Sequence, residues 1–307
     1  MIAVSVSNPS LKAAAFCDAI GRFYAGEVSA AFNSVGRTLP VGLSEIGTPA
    51  DTAMLTAPLG KKNGEGRPLY PHGVRDVKDT ADPVALIRNA LTSHHDQNAL
   101  VILAGPATGL AALLRLPGAP DLITSKVRML VFAGGDYPSG TPDPHVTGDI
   151  ASARQLFAEW PTPIVAVGRT VGEQVLFPAS SMEKDFSWSP AHPVVDAFRA
   201  SGNELRDVPA LSPAAALFAV RPDQGYFQRS APGTISIEDG GATRFAATAA
   251  GKHTYLTVDA AQRERIQKTF VELASAKPVP RLPRRRPMAQ PQQPPEKKPE
   301  LPVVPLK

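Results

Sequence analysis

Residues Ile102-Leu103-Ala104-Gly105-Pro106-Ala107-Thr108-Gly109-Leu110 read as the end of a buried strand, a sharp Gly-Pro turn, and the start of a helix carrying a hydroxyl. The strand is the apolar run Ala99–Ala104, and four more runs share its character: Ile2–Ser7, Leu39–Leu43, Val127–Ala133 and Pro163–Val167. Each is short and rich in Val, Ile or Leu, as strands covered on both faces are. Helical patterns lie between them. In Asp82–Ser93 the apolar positions Val84, Ile87 and Leu91 recur at spacings of three and four, with Asp82 placed to cap and Pro83 suited to the first turn. Asp149–Trp160 also opens on an aspartate and sets Ala153, Leu156 and Phe157 on one stripe. This alternation predicts an α/β protein with a doubly wound, mostly parallel sheet.

Beyond Val167 the pattern changes. Pro190–Ala200 and Pro213–Val220 read as helices, Thr234–Glu238 and Thr243–Ala247 as a hairpin around Asp239-Gly240-Gly241, and Asp259–Ala274 as a closing helix with Ile266, Phe270 and Leu273 on one face. Gly47–Tyr70 is polar, contains glycines and prolines and shows no period. A loop of that length in a compact domain suggests an active-site lid.

The 307 residues, 43% hydrophobic with mean hydropathy −0.09, supply enough apolar material for a full core. The net charge of +4 belongs to the last thirty residues. Pro278–Lys307 holds ten prolines and carries seven basic against two acidic side chains, so residues 1–277 have a net charge of −1. The high pI therefore says nothing about a nucleic-acid surface on the body, and no nucleic-acid partner is expected. The composition predicts two units: an α/β domain over 1–276 and a disordered Pro/Lys/Arg-rich tail over 277–307. Three PxxP spacings in the tail, at Pro280/Pro283, Pro291/Pro294 and Pro302/Pro305, leave open a partner with an aromatic groove. No apolar run reaches the roughly 20 residues of a membrane span. The lone Cys17 excludes internal disulfides and cysteine metal sites and is expected to fill an apolar gap in a helix. Without a basic leader the sequence as written is expected to be cytoplasmic, with secretion open if a segment precedes Met1.

Ligands of such sheets bind beyond the carboxyl ends of the strands. Three junctions there draw attention: Ser5-Val6-Ser7-Asn8-Pro9, the Gly105-Pro106 turn, and Val131-Phe132-Ala133-Gly134-Gly135-Asp136. Each also serves as an ordinary turn or cap. Neither GxGxxG nor GxxxxGK[ST] is present, and there is no HExxH or GxSxG. Of the six histidines, His94 and His95 close a helix and are expected to face solvent, whereas His145, in the rigid Pro142-Asp143-Pro144-His145 loop, is placed to line a site.

The order of these junctions resembles the nucleoside hydrolases, the inosine/uridine-preferring family. A strand ending in Asn8, a Tyr70-Pro71-His72 segment, Gly105-Pro106-Ala107-Thr108-Gly109-Leu110-Ala111, a strand ending Gly134-Gly135, and a helix opened by Asp149 follow in sequence. Pro163-Ile164-Val165-Ala166-Val167-Gly168 and Leu211-Ser212-Pro213-Ala214-Ala215 continue the order, and the likeness runs through Lys252-His253-Thr254-Tyr255-Leu256, about 1–276 in all.

The resemblance implies hydrolysis of the N-glycosidic bond of ribonucleosides. Calcium would hold the ribose diol and a water, and the transition state would be oxocarbenium-like. It implies ribose contacts from Asn8 and from Asp143 and His145, which stand where the family has a Glu-x-Asn pair. His72 falls near a His-containing segment, Thr108 matches a carbonyl ligand of the metal, and Ser212 replaces an aspartate ligand. The family's DTDxGxDD motif, which supplies most metal ligands and the catalytic base, would precede Met1. A neutral hydroxyl at Ser212 offers little to a hard cation. The expectation is therefore a degenerate or truncated hydrolase in which calcium is not held tightly. Ser212 and His145 lie inside the chain and favour degeneracy. A non-catalytic ribose- or nucleoside-binding protein, or an interaction module presenting the Pro-rich tail, stays open, as does a homo-oligomer.

Overall fold

The computed structural model describes residues 1–32, 39–49, 51–202 and 206–278, without the side chains of 26–32. Apart from Lys277 and Pro278, the expected proline-rich tail lies outside the described residues. The chain opens with strand β1 (Val4–Val6), helix α1 (Leu11–Phe32), strand β2 (Val41–Leu43) and helix α2 (Ala53–Gly60). A 3-10 turn at Val77–Asp79 leads to α3 (Pro83–Thr92), β3 (Ala99–Leu103), α4 (Thr108–Leu114), α5 (Ala119–Lys126) and β4 (Val127–Ala133). There follow α6 (Pro144–Thr147), α7 (Ile150–Glu159), β5 (Ile164–Val167), α8 (Arg169–Gln174), β6 (Leu176–Phe177), α9 (Ala179–Lys184) and α10 (Pro193–Ala200). The last part comprises β7 (Val208–Pro209), α11 (Leu211–Val220), β8 (Gln228–Arg229), β9 (Gly233–Ile237), β10 (Thr243–Ala247), β11 (His253–Thr257) and α12 (Ala260–Ser275).

The main sheet runs β10-β9-β11-β5-β4-β3, with β8 added to β11. Strands β11, β5, β4 and β3 are mutually parallel, and the expected hairpin β9–β10 caps the sheet in antiparallel fashion. The period-two alternation of β4 explains why it reads as continuously apolar. Leu130 and Phe132 enter one core layer with Leu113, Ile123 and Leu156, while Met129, Val131 and Ala133 enter the other with Phe218 and Ile266. Truncating a fully enclosed side chain such as Phe132 to alanine costs about 3–5 kcal/mol.

The predicted helix starts are capped as their sequence suggests. Asp82 accepts from Ala85 N at 2.7 Å, Asp149 from Ser152 N at 3.0 Å, and Asp259 forms a capping box with Gln262. Cys17 is half-buried on α1 against a third, smaller core around Val41 and Leu43, and burial pushes its thiol pKa up.

Two expectations need correction. The first two predicted strands stand apart from the main sheet: β1 and β2 form their own parallel pair, with Val4 opposite Val41, and Gly42 bridges to Ala81. Among the described residues β1 pairs only with β2 and β3 only with β4. Ile102, on the open edge strand β3, is correspondingly 42% exposed. The segment Gly47–Tyr70 is also not a free loop. It contains α2, which packs against α1 and α10, and a bridge between Lys62 and Pro68. The helix escaped notice because Ala53-Met54-Leu55-Thr56-Ala57-Pro58-Leu59-Gly60 carries no polar stripe and holds an internal proline.

Candidate functional site

The carboxyl ends of β1, β3 and β4 are drawn together by close backbone packing. A Cβ on Gly105 would stand 2.6 Å from Ser7 Oγ, so only glycine lets the end of β3 approach the end of β1. Gly135 takes φ +70, and a side chain there would meet Thr243 and the Tyr137 hydroxyl within 2.8 Å. At Gly148 a Cβ would lie 2.6 Å from Pro106 Cγ, seating the end of α6 on the Gly-Pro turn. The expected junctions after β1, β3 and β4 are therefore neighbours in space.

Asn8 follows β1 and accepts from Ser10 N through Oδ1 at 3.2 Å. No described residue accepts from its amide NH2. Gly47, the first residue of the former lid segment, packs on Pro9 and Asn8. Asp143 is buried at 4% exposure and caps α6 by accepting from His145 N at 2.9 Å through Oδ1. No described residue donates to its Oδ2. His145 Nδ1 lies 2.6 Å from the Ala133 carbonyl, the last residue of β4. A carbonyl only accepts, so Nδ1 is a nitrogen that carries a proton, and Nε2 has no partner among the described residues.

Thr108 opens α4, and its hydroxyl donates to Asp149 Oδ2 at 2.7 Å. Burial pushes the Asp149 carboxyl up, but hydrogen bonds from Ser152 and Thr108 outweigh it and hold the carboxyl below its usual range. Asp149 is thus the helix cap that its position suggested.

Ser212 and His72 have local surroundings of their own. Ser212 is exposed in the first turn of α11, beside Leu211, which packs against Gly172. His72 follows Tyr70, whose hydroxyl donates to Asp196 on α10, and it precedes Gly73, whose N–H donates to Asp18. His72 Nδ1 is buried with no hydrogen-bond partner among the described residues. Among the described residues no group of three His, Cys, Asp or Glu side chains comes together to hold a metal ion. The groups gathered there are hydroxyls, an amide and the Asp143 carboxylate, whereas a hard cation prefers several carboxylate oxygens.

Two cavities at the carboxyl ends went unread in the sequence because each is built from three separate segments. One, of about 410 Å³, lies between the end of β2 and the starts of α3 and α4, and Thr108, Gly109, Glu45 and Asp82 line it. The other, about 270 Å³, lies beyond β4, β5 and β11. There Asp136 takes a hydrogen bond from Thr170 at 2.6 Å, and Tyr137, stacked on Tyr255, has a buried hydroxyl close to Thr243 that makes no full hydrogen bond among the described residues. Burial pushes the pKa of that hydroxyl up. The apolar run 41–43 ending on Ser44-Glu45 was the available signal for the first cavity.

Fold and site together define an α/β protein with a parallel central sheet and polar groups gathered beyond its strand ends. Its solved structural likenesses are nucleoside hydrolases. A plant nucleoside hydrolase is 16% identical with TM-score 0.58, over 89% of this chain and 98% of that one. A purine-preferring ribonucleoside hydrolase from Gardnerella vaginalis is 15% identical with TM-score 0.58, over 89% and 98%. An inosine-guanosine nucleoside hydrolase is 14% identical with TM-score 0.61, over 87% and 96%. The fold is nucleoside hydrolase-like. No family model and no curated protein sequence matches the chain.

Proposed function

We propose that this protein binds a nucleoside through its ribose at the carboxyl ends of β1, β3 and β4, and that its capacity to hydrolyse the N-glycosidic bond is impaired. The observation that carries the reading is His145. Its Nδ1 donates to the Ala133 carbonyl at 2.6 Å, which holds the ring beside the buried Asp143 and leaves Nε2 for a ligand. With the free Asp143 Oδ2 and the Asn8 amide donor, the site offers two acceptors and a donor to a vicinal diol. A ribose 2′,3′-diol supplies two donors and two acceptors. The structures that this chain is similar to are named for their action on nucleosides, which supports the same ligand class.

Impairment rests on what the polar groups already do. Asp149 is held as a cap, Thr108 is engaged with it, and Ser212 carries a neutral, exposed hydroxyl. None of these can take the proton of an attacking water beneath the anomeric carbon. Asp143 is the one unshared carboxylate oxygen in the group. Calcium is not expected to bind tightly, for the reasons of donor chemistry given above.

Calorimetric titration with ribose and with inosine tests the reading. Saturable binding of both that weakens on Asp143→Asn and on His145→Ala is expected. Absence of binding by either ligand to a folded chain would reject it.

A further inference from the structure

Tyr226 gathers two arginines and no counter-charge. It stands in the turn between α11 and β8, 7% exposed, and packs into the second core layer. Arg221, which follows the last residue of α11, donates from Nη1 to the Tyr226 hydroxyl at 3.5 Å. Arg265, exposed on α12, sets its guanidinium carbon 4.4 Å from the centre of the Tyr226 ring and donates to the Gln224 carbonyl. A guanidinium has five N–H donors, and these hydrogen bonds use one apiece. The hydrogen bond with Thr269, then Arg221 and Arg265, hold the Tyr226 phenol below its usual range although burial opposes them. Asp223, in the same turn, and Glu264, next to Arg265, are exposed. Among the described residues no carboxylate comes within 4 Å of either guanidinium.

We propose that Arg221 and Arg265 together form a site for a phosphate group, free or carried as a monoester, at Tyr226. The site is separate from the nucleoside reading and does not depend on it. The carboxyl end of α11 accounts for one cation, Arg221, which complements the helix dipole, but it does not call for a second. Two like charges held on one phenol repel each other, and an anion between them removes that repulsion. Charge matching favours phosphate over a carboxylate. The two guanidinium groups carry two charges, and a phosphate monoester carries about 1.5 to 2 at neutral pH. The planar N–H fork of arginine fits two phosphate oxygens at once, and charge-assisted bonds of this kind are the strong ones. A bound dianion would join the end of α11 to α12.

The test titrates inorganic phosphate, methyl phosphate and acetate into the full chain at constant ionic strength and follows binding by calorimetry. A second readout follows Tyr226 itself: the alkaline absorbance titration of the chain, less that of Tyr226→Phe, gives its ionisation midpoint. The expected result is saturable binding of phosphate, with acetate weaker by about tenfold or more. Arg221→Gln and Arg265→Gln should each weaken phosphate by a similar factor. Lys268→Gln, the same loss of charge elsewhere on α12, should leave it unchanged. Bound phosphate should raise the Tyr226 midpoint, because a dianion offsets the positive charge that favours the phenolate. Methyl phosphate binding beside phosphate marks a site open to esters, and phosphate alone marks one for the free ion. No saturable binding of phosphate, acetate equal to phosphate, an equal loss in Lys268→Gln, or a Tyr226 midpoint that phosphate does not move each overturns the inference.

Discussion

The Thr108 hydroxyl donates to Asp149 Oδ2 at 2.7 Å, and this bond ties the first turn of α4 to the cap of α7. The two residues are 41 apart in sequence, and their bond crosses the junction between the Gly105-Pro106 turn and the Asp143–His145 loop. Asp149 also accepts from Ser152 N at 3.0 Å, so one carboxylate satisfies a helix end and a tertiary contact together. Losing a cap costs about 0.5–2 kcal/mol, and leaving a charged partner without its donor adds to it. Thr108→Val and Asp149→Asn are expected to destabilise the chain individually, and their double-mutant cycle to show coupling of about 0.5–2 kcal/mol. Urea melts measure this. Strict additivity would mean that the hydrogen bond contributes nothing of its own.

His192 supplies a pH dependence. It is enclosed by Phe23, Phe186 and Trp188 at ring distances of 4.8, 4.8 and 5.2 Å, accepts from Val194 N, and meets the Tyr24 hydroxyl at 3.2 Å. Burial lowers its pKa to about 4, against the partial counter-effect of Asp196. The imidazole is thus neutral in the fold, whereas the unfolded chain takes up a proton near its ordinary value of about 6.5. Between those values the unfolded state binds more protons. The His192 contribution is therefore complete above about pH 6.5 and is lost as pH falls toward 4, with a slope of at most about 1.4 kcal/mol per pH unit. His192→Gln should flatten the stability profile in that window. Identical profiles for the two proteins would show that the ring is not held neutral.

The open strand edges carry a stability prediction. Strand β3 lacks a second partner among the described residues, β1 likewise, and Ile102 is exposed on the edge between them. Unpaired edges template association, and buried orphan backbone groups cost about 1–3 kcal/mol each. The isolated chain is expected to be marginal and prone to aggregate, as light scattering during a thermal ramp would record. A cooperative monomeric transition well above the mesophilic range of about 45–65 °C would count against it. Replacing Ile102 with lysine, a charge on an exposed edge, should reduce scattering without lowering the midpoint.

Deleting residues 279–307 is expected to leave the melting temperature nearly unchanged. The closing helix α12 completes the second core with Ile266 and Phe270 before the chain reaches Pro278. The deleted stretch has nine prolines, and it lacks any aromatic. Segments so poor in apolar side chains bury little surface. A drop of many degrees in a calorimetric scan would show that it packs on the body.

Much of this architecture was legible because the sheet is covered on both faces. Runs such as Val127–Ala133 are apolar at both parities, and the aspartates that open α3, α7 and α12 cap them as their positions suggest. What escaped has physical causes. Helix α2 is apolar all round, β6, β7 and β8 are two residues long and carry no period, and the separation of β1–β2 from β3 depends on pairing that no local pattern encodes. At the site, His145 was readable as a loop histidine, but its free nitrogen is fixed by a carbonyl twelve residues earlier.

The last prediction concerns turnover. The chain as given is expected to have no appreciable nucleoside hydrolase activity, with or without calcium. Cleavage needs a polarised water and a carboxylate to receive its proton under the anomeric carbon. Of the carboxylates near the strand ends, Asp149 is committed to Ser152 and Thr108, Asp136 to Thr170 and Arg169, and Asp143 gives one oxygen to its own helix cap and keeps the other for a ligand hydroxyl. General-base catalysis is typically worth about 10²–10⁴-fold, so a site without a positioned base falls close to the uncatalysed rate. The assay incubates the protein with inosine, uridine and a p-nitrophenyl riboside at millimolar calcium and measures free ribose. Ser212→Asp alone should restore nothing: Ser212 stands exposed on α11, and one carboxylate does not make a hard-cation site. Calcium-dependent release of ribose that vanishes on Asp143→Ala would instead establish Asp143 as the centre of a working site and reverse the conclusion that hydrolysis is impaired.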